Sequence, residues 1–103
     1  MSGKQRKQWH GDKRMVGAWQ IRAWYVDRAV ELQLSCLDEE WLVWTGRDED
    51  PYGWLRDNLE ALLDDACKVQ TTNRTELEAA IRELVAAVYE WAMVNAADAG
   101  WAP

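Results

Sequence analysis

The stretch that most constrains this chain is residues 29–46, in which two apolar segments flank a short acidic link. Over residues 30–36, apolar and polar residues alternate without interruption, which predicts a strand with one apolar face. The acidic link is Asp38-Glu39-Glu40, and the apolar run Trp41-Leu42-Val43-Trp44 follows it. Two apolar segments joined by a tight polar link predict a β-hairpin.

The residues before this hairpin fit two patterns. As a strand, residues 19–26 are rich in aromatic and β-branched side chains. As a helix, apolar residues recur every three or four positions from Trp19 to Trp41, which would give a long first helix and an all-α protein. The alternation of residues 30–36 and the lack of a helix cap near Met15 favour strands. The strand interpretation needs a turn at Asp27-Arg28, which lacks the Gly or Asn typical of such turns.

The second half of the chain predicts two helices. Asp50 is a suitable N-cap and Pro51 suits the first helical position, so a first helix should cover about residues 51–68. Its apolar stripe comprises Leu55, Leu59, Leu62 and Ala66. Thr75 and Glu78 form a capping box for a second helix over about residues 75–99. The inner stripe of that helix comprises Leu77, Ile81, Leu84, Val88 and Trp91.

The predicted fold is therefore α+β. A small three-stranded antiparallel sheet at about residues 15–45 packs against the two C-terminal helices. One sheet face takes the helices and the other faces water or a partner. Residues 15–103 make a single domain, and residues 1–14, which show no apolar period, make a flexible basic arm.

Charge divides the chain into two unequal parts. Residues 1–28 hold seven basic and two acidic side chains, a net charge of +5. Residues 29–103 hold five basic and sixteen acidic side chains, a net charge of −11, and the whole chain carries −6. An arm of this kind could contact nucleic acid, with its aromatic residue stacking on a base. The arm residues concerned are Lys4, Arg6, Lys7, Trp9, Lys13 and Arg14.

The residue types argue against catalysis. His10 is the only histidine, Ser35 and Cys36 lie within a predicted strand, and the glycines form no phosphate-binding loop. Cys36 and Cys67 form no metal-ligand pattern, which predicts free thiols in a reducing cytoplasm. We therefore expect no enzyme activity, no metal site and no cofactor. The chain also lacks an apolar run long enough to span a membrane, which predicts a protein without a membrane partner.

The most plausible contact region is the second half of the hairpin. The chain has eight Trp and no Phe, and Trp is favoured at interface hot spots. In the run that ends at Trp44, apolar residues occupy both faces of the predicted strand, and acidic residues bracket it. The predicted partner-binding residues are Trp41, Trp44, Asp38, Glu39, Glu40, Asp48, Glu49 and Asp50.

These features predict a non-enzymatic protein-binding module that acts by occlusion, on another protein with a basic surface. Phage- or mobile-element-type inhibitors, antitoxins and immunity proteins have this size and charge, an analogy at that level alone. One alternative is a nucleic-acid-associated regulator that uses the basic N-terminal arm. The other is a structural or assembly subunit. A homodimer is compatible with all three.

Overall fold

The strands form one antiparallel sheet that is four strands wide. A computed structural model describes residues 8–9, 13–26, 28–44 and 50–99. The strands are β1 (Gln8–Trp9), β2 (Arg14–Val16), β3 (Trp19–Val26), β4 (Ala29–Cys36) and β5 (Glu39–Trp44). Both β1 and β2 pair with β3, which pairs with β4, which pairs with β5. The α+β prediction is confirmed, and the structure does not favour the all-α alternative.

The three-stranded prediction does not include the two short strands β1 and β2, which form the first edge of the sheet. β1 pairs with one end of β3 and β2 with the other, so the two short strands share this edge. A two-residue turn at Gly17-Ala18 joins β2 to β3, and Gly17 has φ +59°. Strands of two and three residues are too short to show an alternation, so Gly17 is their main sequence signal.

The β4–β5 turn lies earlier than the acidic link predicts. Cys36 pairs with Glu39, which leaves Leu37-Asp38 as the two-residue turn. Glu39 and Glu40 are the first two residues of β5 rather than part of the link. Acidic residues are depleted in strands, but propensity is weaker than the pairing that extends the hairpin ladder.

The helices are α1 (Pro51–Val69) and α2 (Arg74–Ala99), close to the predicted bounds. The Asp50 side chain caps α1, since its Oδ1 accepts a hydrogen bond from the Gly53 amide at 3.0 Å. The predicted capping box of α2 is wrong. Asn73 lies before the first turn, and its Oδ1 accepts from the Glu76 amide at 3.0 Å, so the helix begins before Thr75.

Both helices lie on one face of the sheet, and α2 makes the main contacts with the strands. α2 contacts β2, β3 and β4, and α1 packs against α2. The core between these layers contains fully buried side chains from both helices and from the sheet, each stabilising the fold by about 1.5–3 kcal/mol. The buried stripe of α1 contains Leu63 in place of the predicted Leu62, which is only half-buried. No helix within the described ranges combines the length and apolarity needed to cross a membrane.

An ion-pair cluster joins the two helices on the surface. The Arg74 guanidinium donates to Asp64 Oδ1 at 2.6 Å and to Glu60 Oε1 at 2.7 Å. The hydrogen bond that Arg74 donates to Asp64 is the main cause that raises the pKa of Arg74 above its usual range. All three groups are partly or fully exposed, so the cluster positions the start of α2 more than it stabilises the fold.

Candidate functional site

Among the described residues, the tip of the β4–β5 hairpin exposes the most accessible large apolar side chain. We call residues 37–40 the hairpin tip. All four are exposed, and Leu37 has 78% of its surface accessible to solvent. The tip thus presents one large apolar side chain beside three consecutive carboxylates.

Leu37 has a backbone conformation that leucine rarely adopts. Its φ is +56°, and it occupies the first position of a two-residue turn. Two-residue turns in which only the first residue has a positive φ usually have glycine at that first position. The left-handed region costs an L-residue roughly 1–2 kcal/mol, and the exposed side chain regains none of this by burial. Arg28 is the other described non-glycine residue with a positive φ, and Leu37 differs from it in that its exposed side chain is large and apolar.

The carboxylates of the tip differ in their surroundings. Gln33 Nε2 donates a hydrogen bond to Glu40 Oε2 across β4 and β5, which orients the Glu40 carboxylate. Asp38 belongs to the turn, and Glu39 begins β5 opposite Cys36. Three exposed carboxylates within one hairpin end give a local negative potential that attracts cationic groups.

The predicted anchor Trp41 serves the core as well as the surface. It lies opposite Leu34, is half-buried, and packs against the core cluster. Its ring centroid lies 5.4 Å from that of the fully buried Trp19, at an interplanar angle of 45°. An exchange of Trp41 would therefore affect the fold together with any binding.

The other predicted binding residues are only partly placed. Trp44 lies in β5 opposite Glu31, and its side chain is outside the described residues. Asp48 and Glu49 are also outside the described residues. Asp50 is exposed and caps α1, which gives it a structural role.

Part of the basic arm is placed in the sheet. Trp9 belongs to β1 and pairs with Trp24, although its side chain lies outside the described residues. Lys13 is exposed, and Arg14 is half-buried in β2 opposite Ile21. The remaining arm residues, Lys4, Arg6 and Lys7, lie outside the described residues. The flexibility of the arm and its contact with nucleic acid stay predictions.

The sheet face opposite the described helices contains a buried pair, Trp24 and Glu31, that the alternation of residues does not predict. Trp24 and Glu31 are direct cross-strand partners, with only 6% and 4% of their surfaces exposed. In an amphipathic strand, alternation assigns Glu31 to solvent, and nothing in the local sequence distinguishes it from Gln33. A buried carboxylate is costly without polar or charged partners, so the Glu31 carboxylate depends on interactions with its neighbours.

The candidate metal ligands and thiols do not gather into one site among the described side chains. Within the described ranges, no group of three or more His, Cys, Asp or Glu side chains is arranged to hold a metal ion. Cys36 is buried and Cys67 half-buried, and both are free thiols.

The fold and the site together define a class of protein, a small acidic α+β protein with a strained, exposed hairpin tip. No family model, curated protein sequence or solved structure matches this chain. The functional argument therefore depends on the chemistry of the hairpin tip.

Proposed function

We propose that the protein is a non-enzymatic protein-binding module and that its hairpin tip contacts the partner. The observation that carries this proposal is Leu37, a large apolar residue that is exposed and held in a costly conformation. Glycine would relieve the strain without loss of burial, so a benefit outside the folded monomer accounts for the leucine. Insertion of its side chain into an apolar pocket of a partner supplies such a benefit.

The charge of the tip indicates the chemistry of the partner. Asp38, Glu39 and Glu40 directly follow Leu37 in the chain and are exposed with it, and residues 29–103 carry a net charge of −11. A basic surface with an apolar pocket complements this arrangement, because opposite potentials accelerate encounter and fix orientation. We infer a partner protein with Lys or Arg side chains around the pocket that accepts Leu37.

The module would act by occlusion, covering a functional surface of its partner. The residue chemistry supports this mode, since the chain has a single His and no nucleophile motif. Phage- or mobile-element-type inhibitors, antitoxins and immunity proteins that act in the cytoplasm work in this manner, and we propose a role of that type.

The test is Leu37→Gly, which separates stability from binding. We expect the variant to be more stable by about 0.5–1 kcal/mol, because the strained turn is relieved while glycine gains chain entropy in the unfolded state. We also expect its capture of the partner from a nuclease-treated lysate to fall. Urea unfolding measures the first effect and quantitative pull-down measures the second.

The matched control is Arg28→Gly. Arg28 is the other non-glycine residue with a positive φ among the described residues, at +64°, and it lies in the β3–β4 turn. Its replacement should leave capture unchanged. Equal capture by the wild type and Leu37→Gly would contradict the proposed role of the tip.

A further inference from the structure

We propose that β5 binds an extended, basic segment of the partner as an additional strand of the sheet. This inference rests on the proposed function and specifies how the partner is bound. The sheet order ends at β5, so no described strand pairs with its outer side. An edge strand presents a row of backbone N–H and C=O groups that another chain can satisfy.

The two edges of the sheet are unequal. The edge opposite β5 is divided into β1, with two residues, and β2, with three. Very short strands are one of the ways in which proteins protect an edge from pairing. β5 is continuous over six residues, enough for a ladder of several hydrogen bonds. Strand addition is therefore expected at β5.

The hairpin register identifies the backbone groups that are available. Cys36 and Glu39 flank the two-residue turn, and flanking residues of this kind bond to one another. Hydrogen-bonded and non-bonded pairs alternate along an antiparallel ladder. Counted from Glu39, the residues that direct N–H and C=O away from β4 are Glu40, Leu42 and Trp44.

Charge selects the occupant of this edge. The tip carboxylates Asp38, Glu39 and Glu40 lie at the start of β5, where they would meet one end of an added strand. A strand with Lys or Arg at that end gains from them, whereas an acidic strand is repelled. A second copy of this chain would bring an equally acidic β5. The observations thus favour a basic strand from a different protein.

The experiment begins with a displayed library of random octapeptides, selected on the full chain. We expect enriched peptides to combine β-branched or aromatic residues with Lys or Arg near one end. The tightest peptide is synthesised and titrated by calorimetry against two variants, Glu40→Pro and Glu40→Ala. Both variants lose the carboxylate, but only Glu40→Pro also loses the outward N–H. The peptide should therefore bind Glu40→Pro at least about tenfold more weakly than Glu40→Ala.

A second measurement applies if Glu40→Pro does not fold. The peptide is N-methylated at one amide at a time and titrated against the wild-type chain. Because alternate amides of a bound strand face the edge, methylation at every second position should weaken binding and the intervening positions should not. Peptide binding should also slow hydrogen exchange at the amides of Glu40, Leu42 and Trp44.

The outcomes separate this inference from the proposed function. Peptides that bind without sensitivity to alternate N-methylation, or a selection without enriched peptides, would overturn strand addition. The Leu37→Gly experiment would then still decide the role of the tip. A concentration-dependent dimer in light scattering, lost in Glu40→Pro but kept in Glu40→Ala, would also overturn the inference, because the edge would then accept a second copy.

Discussion

At the scale of single residues, the replacement of glycine by alanine should have opposite effects on stability at two positions. Gly17 has φ +59°, and a Cβ at this position would lie 3.0 Å from Thr72 Oγ1 in the loop between the helices. Gly53 lies in the first turn of α1, where a Cβ would make only ordinary contacts, the nearest at 3.8 Å from Arg56 Nη2. The β2–β3 turn thus requires glycine, whereas the helix tolerates a side chain.

We expect Gly17→Ala to lower the free energy of unfolding by roughly 1–2 kcal/mol, because alanine is strained in the left-handed region and must displace Thr72. Gly53→Ala is the matched control, and it should raise stability by about 0.5–1 kcal/mol through helix propensity. Urea denaturation followed by far-UV circular dichroism measures both changes. A stabilising Gly17→Ala would show that the turn does not have the observed backbone conformation.

At the scale of elements, an aromatic pair reinforces the contact between the helices. Tyr52 on α1 and Tyr89 on α2 meet edge to face, with ring centroids 5.5 Å apart. The pKa of Tyr52 is raised above its ordinary value of 10.0, first by burial and then by the Glu90 carboxylate. Both causes disfavour the phenolate, and solvent screens their effect because Tyr52 is 42% exposed.

The raised pKa of Tyr52 determines how the free energy of unfolding changes with pH. A folded pKa above the unfolded value gives stabilisation that is present below pH 10 and lost as pH rises through the folded pKa. We expect the wild type to lose more stability than Tyr52→Phe between about pH 9 and pH 11. Denaturant titrations across this range measure the difference.

Tyr89→Phe is the control, since it keeps both rings and the Tyr52 hydroxyl beside Glu90. It removes only the smaller contribution of Tyr89 to the raised pKa of Tyr52, so its pH dependence should stay closer to that of the wild type than the pH dependence of Tyr52→Phe does. Parallel profiles for the wild type and Tyr52→Phe would mean that the Tyr52 hydroxyl makes no such contribution.

At the scale of the whole molecule, charge is segregated along the chain. The first 28 residues carry a net charge of +5 and the remainder −11. In the structure, exposed carboxylates occur both at the hairpin tip and along the outer faces of the helices. A general acidic field and a specific acidic contact therefore need to be distinguished by experiment.

Two double charge reversals make this distinction. Asp38→Lys with Glu39→Lys changes the tip, and Asp65→Lys with Glu83→Lys makes the same change of net charge on the exposed helix faces. We expect the tip pair to weaken partner capture at least about tenfold and the helix pair less than about threefold, because specific contacts exceed screened long-range attraction. A salt series of the pull-down measures both. Equal losses would assign the effect to net charge alone.

The sequence by itself determined the class of fold and most of its elements. The alternation of residues 30–36, the Asp50-Pro51 start of α1 and the apolar stripe of α2 each act within one element. Such signals reflect local propensity and burial of one face, which the order of residues already contains. The sequence also contains the acidic run Asp38–Glu40, and its role in partner binding stays a prediction.

Only the tertiary structure decided which residues have a strained backbone and which side chains are buried. Leu37 attracts no notice in the sequence, and its positive φ follows from the pairing of Cys36 with Glu39. The buried Glu31 and the packing of Trp41 on Trp19 depend in the same way on neighbouring strands. Register is a property of strand pairs, and a shift of one residue exchanges the two faces. The pairing of β4 with β5 therefore sets the conformation of the hairpin tip, and with it the proposed binding site.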